Sequence, residues 1–179
     1  MTEETKLIEE AKAGRGEAFG KLYDQYVASI YRFVLVRVSN RAEAEDLTQH
    51  VFLKAWQSIR RYREREGIPF TSWLYRIARN AVIDHYRTRR DHEDIEGAAA
   101  RNLAEDFPVQ EVEYTLQIEE VHRAFVVLTP GERDVILLRF MEELSVKEVA
   151  AILEKSEGTI RVMQHRGLKK LKGELGAGN

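Results

Sequence analysis

At 179 residues, 44% hydrophobic and 32% charged, the chain can form one medium domain or two small ones with packed cores. The absence of cysteine excludes disulfides, thiolate metal sites and cysteine nucleophiles together, and fits a reducing cytosol. The net charge of −2 conceals segregation: residues 60–90 hold nine arginines against three acids, 91–120 ten acids against one arginine, and 155–172 six basic residues against one acid. Polyanion binding needs local positive fields rather than a basic total, so two basic blocks flanking an acidic one point toward nucleic acid.

Three prolines and persistent three-four periodicity predict an all-α protein. The N-terminal run MTEETKLIEEAKAG is acidic and lacks the apolar core of a signal peptide, and the apolar stretch Tyr26 to Val38 is too short to span a bilayer. A cytoplasmic protein is expected. A first helix is predicted over 2–13, stopping at Gly14. A second carries the stripe Phe19, Leu22, Tyr23, Tyr26, Val27, Ile30, Phe33 and Val34. Asn40 and Glu43 form a capping-box pattern for a third, which buries Leu47, Val51, Ala55 and Ile59 with Phe52 and Trp56 beside them. Gly67, Ile68 and Pro69 break the pattern, and a fourth helix begins near Thr71 and runs through Val82.

Periodicity then fades. Residues 93–118 are expected to be a flexible acidic linker between a domain at 1–92 and another at 119–175. In the second domain Thr129-Pro130-Gly131-Glu132 reads as a capping box with proline at the first helical position. The helix it opens carries Val135, Ile136, Leu137, Leu138 and Phe140, with Arg139 the one charge among them. Ser145 and Glu148 open a short helix ending at Leu153, and Ser156 caps another after the turn at Glu154 and Lys155. Val149, Ala150, Leu153 and Ile160 are spaced to pack together, which describes a helix-turn-helix. On its second helix Ile160, Leu168 and Leu171 form the predicted inward stripe. Arg161, His165, Lys169 and Lys172 face away, with Val162 and Arg166 alongside, as a major-groove reader requires.

Two stretches resemble one family. AEDLTQHVFLKAWQSI (44–59) followed by FTSWLYRIARNAVIDHYRTRR (70–90) resembles the second region of bacterial extracytoplasmic-function sigma factors. LTPGERDVILLRFMEELSVKEVAAILEKSEGTIRVMQHRGLKKLK (128–172) resembles their fourth region. The resemblance implies a non-enzymatic subunit that binds core RNA polymerase and directs initiation at particular promoters. It implies that Asp46, Gln49, His50 and Lys54 meet the clamp helices of the polymerase's largest subunit, with His50 where the family often has an acid. It assigns minus-ten opening and reading to Tyr62, Arg65, Trp73, Arg76, Arg79, Asn80 and Arg87, with Arg89 and Arg90 also along the backbone. Flipped bases are held by stacking and edge hydrogen bonds, and the residue types suit that work. An aromatic on an amphipathic helix is core more often than wedge, so both readings of Trp73 stay open.

By the same resemblance the minus-thirty-five duplex is read by Glu157, Thr159, Arg161, His165, Arg166 and Lys169. Two positions depart from the family's pattern: Gln164 stands where an aliphatic residue is usual, and Glu154 where glycine is frequent. Promoter DNA and an anti-sigma protein are the implied partners besides the polymerase, and the linker would occupy a basic channel meant for RNA. A stand-alone helix-turn-helix regulator explains 128–172 but leaves 70–90 without a purpose. An enzyme has little support: the five histidines show no metal spacing, no glycine loop cradles phosphate, and neither cofactor nor small-molecule substrate is expected.

Overall fold

The computed structural model describes residues 1–93 and 120–177, with side chains over 1–91 and 120–176. These residues are helical, with no strand beyond an isolated bridge between Arg65 and Ile68. They form two compact units, one of residues 1–63 and 73–93, the other of 64–72 and 120–177. The acidic linker expected at 93–118 lies, apart from Glu93, outside the described residues; the preceding helix continues through Glu93.

In the first unit α1 (Glu3–Lys12) starts where the Thr2 hydroxyl accepts the Thr5 amide at 3.1 Å, and it ends before Gly14, whose φ of 91° suits glycine. Acids in its first turn and Lys12 in its last complement the helix dipole. Helix α2 (Gly16–Val38) buries Leu22, Val27 and Ile30 on one side, then Phe33, Val34, Leu35 and Val36 in succession. Its second half is therefore enclosed nearly all round. The chain reverses at Ser39 in the left-handed conformation, and α3 (Arg41–Ser58) follows.

The start of α3 is half a capping box. Asn40 Oδ1 accepts the Glu43 amide at 3.0 Å, but the Glu43 carboxylate pairs with Arg89 at 3.2 Å and lies 3.4 Å from His85, an ion-pair rather than a hydrogen-bond separation. The buried stripe of α3 also differs from the expected one. Ala44, Thr48, Val51 and Ala55 are fully enclosed and Leu47 is only half-buried. Small side chains allow close approach to a neighbouring helix, and Thr48 satisfies its hydroxyl by donating to Ala44 O at 2.6 Å. Phe19, Tyr23, Phe52 and Trp56 close that interface as a ring cluster, with centroids 4.8–6.5 Å apart. A 3-10 turn (Ile59–Arg61) ends the segment.

Helix α4 (Phe70–Glu93) buries Leu74, Tyr75, Ala78, Ala81 and Val82. Tyr75 meets Phe33 edge-on at 5.6 Å, and the Tyr86 hydroxyl donates to Arg37 O.

The second unit joins short helical pieces to one long helix. A helical stretch, 120–125, is tied to α5 (Pro130–Ile136) by Arg133, whose Nε donates to Phe125 O at 2.8 Å. Both capping boxes predicted in this unit are complete: Thr129 with Glu132 opens α5, and Ser145 with Glu148 opens α6 (Val146–Leu153). Helix α5 runs into a π-helical turn (Leu137–Met141), which leaves Phe140 half-exposed. Helix α7 (Glu157–Ala177) starts with the Ser156 hydroxyl accepting the Thr159 amide at 3.1 Å. Between α6 and α7 Glu154 adopts φ 55°, ψ 43°, the left-handed conformation that glycine takes without strain.

Candidate nucleic-acid interface

Helix α7 has two chemically distinct sides. Ile160 is fully buried and Gly167, seven residues on, is buried too, with Met163, Gln164 and Leu171 half-buried between and beyond them. Leu168, expected on this stripe, is 41% exposed. The reason is contact distance: a Cβ at Gly167 would lie 3.1 Å from Ile136 Cγ1, so α7 approaches α5 through a position with no side chain. A small residue in register with Ile160 and Leu171 is the sequence signal that marks such an approach. The reading of Leu168 as inward overlooked it.

Arg161, Val162, His165, Arg166, Lys169 and Lys172 are all exposed on the opposite side, as the spacing predicts. Arg161 Nη2 lies 3.2 Å from the Glu157 carboxylate, an exposed pair one turn apart that steers the guanidinium more than it stabilises the helix. The Thr159 hydroxyl is engaged with Ser156 at 2.8 Å.

Two polar ties set the orientation of that face. Arg139 Nε donates to Gln164 Oε1 at 2.9 Å, and its Nη1 donates to Leu144 O. The unusual Gln164 thus has a partner on the π turn that an aliphatic residue would not use. Lys170 Nζ sits 2.8 Å from the buried Glu132 carboxylate, which also accepts the Thr129 amide. Burial alone would raise the Glu132 carboxyl, but the hydrogen bonds from Lys170 and the Thr129 backbone, with the Lys170 charge, hold it below the ordinary glutamate range.

In the first unit Trp73, Arg76, Asn80 and Arg87 fall on one line of α4, opposite its buried stripe. Asn80 and Arg87 are exposed, whereas Trp73, Arg76 and Arg79 are half-buried. Tyr62 is only 7% exposed, its ring 5.2 Å from that of Trp73, so the pair forms a packed wall with Trp73 as its more accessible part. Arg65, in the segment 64–72 that groups with the second unit, is exposed on the loop closed by the Ile68 amide on Arg65 O. Arg87, Arg89 and Arg90 are all exposed, with Arg89 paired to Glu43. On α3 Asp46, Gln49 and His50 are exposed and Lys54 half-buried. Leu53, which sequence reasoning passed over, is 53% exposed among them. Its spacing of seven from Asp46 and three from His50 places it on the same face.

Among the described residues no cluster of three or more His, Cys, Asp or Glu is placed to hold a metal, and no helix is long and apolar enough to cross a membrane.

The family model for Sigma-70 region 2 matches residues 22–92, and that for Sigma-70, region 4 matches 124–173. The chain is 36% identical over 172 residues to the ECF RNA polymerase sigma factor BldN of Streptomyces coelicolor, covering 93% of this chain and 63% of BldN. It is 30% identical over 180 residues to the ECF RNA polymerase sigma factor SigW of Bacillus subtilis, covering 95% of each. Among solved structures it is similar to CnrH in complex with the cytosolic domain of CnrY (TM-score 0.75, 25% identity, 97% of both chains). It is also similar to the sigma factor RpoE in complex with the anti-sigma factor NepR from Bartonella quintana (TM-score 0.70, 25% identity, 88% of this chain and 96% of that one). With two region-specific matches in the expected order and a relative matched along nearly its full length, the chain belongs to the extracytoplasmic-function (ECF) RNA polymerase sigma factors.

Proposed function

We propose that this chain, a non-enzymatic sigma factor of promoter-directed transcription initiation, divides its work between its two units. The domain at 119–175 reads the minus-thirty-five element as duplex, with Arg161, His165, Arg166 and Lys169 reaching base edges and phosphates and Glu157 and Thr159 at the helix start. The domain at 1–92 opens and reads the minus-ten element: Trp73 on its Tyr62 backing meets the unstacking bases, Arg65 and Asn80 supply donors, and Arg76, Arg79 and Arg87 follow the phosphates. Asp46, Gln49, His50 and Lys54, now with Leu53, dock on the clamp helices of core polymerase. The work is cytoplasmic. An anti-sigma protein is a further partner, in keeping with the NepR complex of RpoE.

The observation that carries this reading is the outward face of α7, where the base-reading cations stand exposed behind a fully buried Ile160. Run-off transcription over a promoter library, with bacterial core polymerase and with or without this chain, tests it. Promoter-specific transcripts should require the chain. Arg161→Ala should cost about 1–3 kcal/mol in promoter binding and relax sequence choice, and phosphate contacts should make holoenzyme binding steeply salt-dependent. A stand-alone regulator would instead bind its duplex tightly without polymerase. Failure to associate with core enzyme would sink the reading.

A further inference from the structure

Helix α1 lies outside both family-model matches, the first of which begins at residue 22. It buries Leu7, Ile8 and Ala11, and it also makes two polar contacts that core packing does not require. Near its N-terminus Glu4 accepts a hydrogen bond from the Tyr26 hydroxyl, which in turn accepts one from Gln25 Nε2 at 3.0 Å. Burial first, then the hydrogen bond to Glu4, push the Tyr26 phenol well above its ordinary range, so it keeps the proton it donates. At the other end the Lys12 ammonium lies over the Tyr62 ring, 5.7 Å from its centroid. The Glu9 carboxylate, 2.7 Å from Lys12 Nζ, steadies it there.

The Lys12 side chain is only 19% exposed. A cation held over an aromatic face with little competing water is attracted by the ring quadrupole more strongly than an exposed one. The Tyr62 ring also lies 5.2 Å from that of Trp73. The Tyr62 backbone is set by its amide bonding Ile59 O at 3.0 Å, which closes the 3-10 turn. Ammonium, phenol and indole therefore form one contiguous cluster, the two rings tilted 50° to each other, that begins on α1 and ends at the head of the line Trp73, Arg76, Asn80 and Arg87.

We infer that Lys12 is a positioning residue for strand opening: from α1 it holds the Tyr62 ring and, through it, sets the orientation of Trp73 toward the unstacking bases. The inference rests on the role given above to Tyr62 and Trp73. Lys12 itself need not touch DNA.

The test uses holoenzyme assembled from the full chain and bacterial core polymerase on a promoter it transcribes, with 2-aminopurine in the minus-ten element reporting opening. Lys12→Met should lower the opened fraction about three- to tenfold, the range expected when a partly desolvated cation–ring contact is lost. Core affinity and closed-complex binding should stay unchanged. Lys12→Arg, which keeps the cation, should restore most of the opening. Adding Lys12→Met to Tyr62→Leu should cause no further loss, because the ring through which Lys12 acts is already absent. In a Trp56→Phe background Trp73 is the single tryptophan, and its emission in the free chain should shift with Lys12→Met but not with Lys12→Arg.

Unaltered opening with Lys12→Met overturns the inference. So does an equal fall in core affinity, closed-complex binding and opening, which would make Lys12 a general stabiliser of the fold. Independent losses from Lys12→Met and Tyr62→Leu overturn it as well. A wild-type holoenzyme that binds promoters but never opens them removes the role of Tyr62 and Trp73 first, and this inference with it; that outcome is recognised before any variant is made.

Discussion

The two units are held together by different means. The first is a volume-filling core of aliphatic side chains and rings: Phe33 on Tyr75, Phe19 and Tyr23 on Phe52, Phe19 on Trp56, and Tyr62 on Trp73. The second joins shorter helices, α5 of seven residues and α6 of eight, which are far below the length at which a helix persists alone. Both complete capping boxes among the described residues lie there, with the ties Arg139 to Gln164 and Lys170 to Glu132. On the division of work proposed above, strand opening asks for a stiff aromatic wall, and duplex reading for one helix presented at a fixed angle. The first unit adds ring contacts to its apolar core, whereas the second adds polar ties to a core that includes Leu137, Leu138, Ile152 and Ile160.

The contrast can be broken by substitution, and both tryptophans, Trp56 and Trp73, make fluorescence a selective report on the first unit. The largest effect is expected from Phe33→Ala, at 1% exposure, which should cost about 3–5 kcal/mol by urea denaturation followed by tryptophan emission. Next comes Gly167→Leu. Its branched side chain would press on Ile136, costing roughly 1–3 kcal/mol in the second unit, seen by circular dichroism while tryptophan emission keeps its midpoint. Ser145→Ala removes one half of a capping box and should lower stability by about 1 kcal/mol. Glu154→Gly relieves a left-handed non-glycine residue and should raise stability by up to about 1 kcal/mol. A loss there would mean that the glutamate side chain contributes more than its backbone conformation costs.

The smallest effect is a pH dependence confined to the second unit. The folded carboxyl of Glu132 is depressed, so its contribution is complete above the unfolded value of about 4.3 and is lost as pH falls through the folded value. Glu132→Gln should flatten the acid limb of circular-dichroism melts and leave the tryptophan transition of the first unit where it was. A steep acid limb in both would show that other carboxylates dominate.

Much of the fold was legible because its signals are local. A cap acts within three residues, so Asn40, Thr129, Ser145 and Ser156 mark their helix starts without knowledge of any neighbour. The polar side of α7 was legible for the same reason: helical geometry alone places Arg161, His165 and Lys169 together. What escaped was whatever depends on a partner helix. Leu168 and Gly167 are equally compatible with periodicity, and Leu47 competes with Ala44 and Thr48 in the same way. Hydrophobicity ranks the leucines first, but interaxial distance selects the small residue.

The amino-acid order by itself determined the all-α class, the segregated charge, the helix boundaries set by caps and the outward cations of α7, since each follows from spacing along one chain. Tertiary structure alone decided that Glu43 turns from its own cap toward Arg89, that Gln164 is seated by Arg139, and that Lys12 rests over Tyr62. Those pairings join residues 25 to 50 positions apart. They depend on which faces meet and how closely, and no local periodicity encodes that.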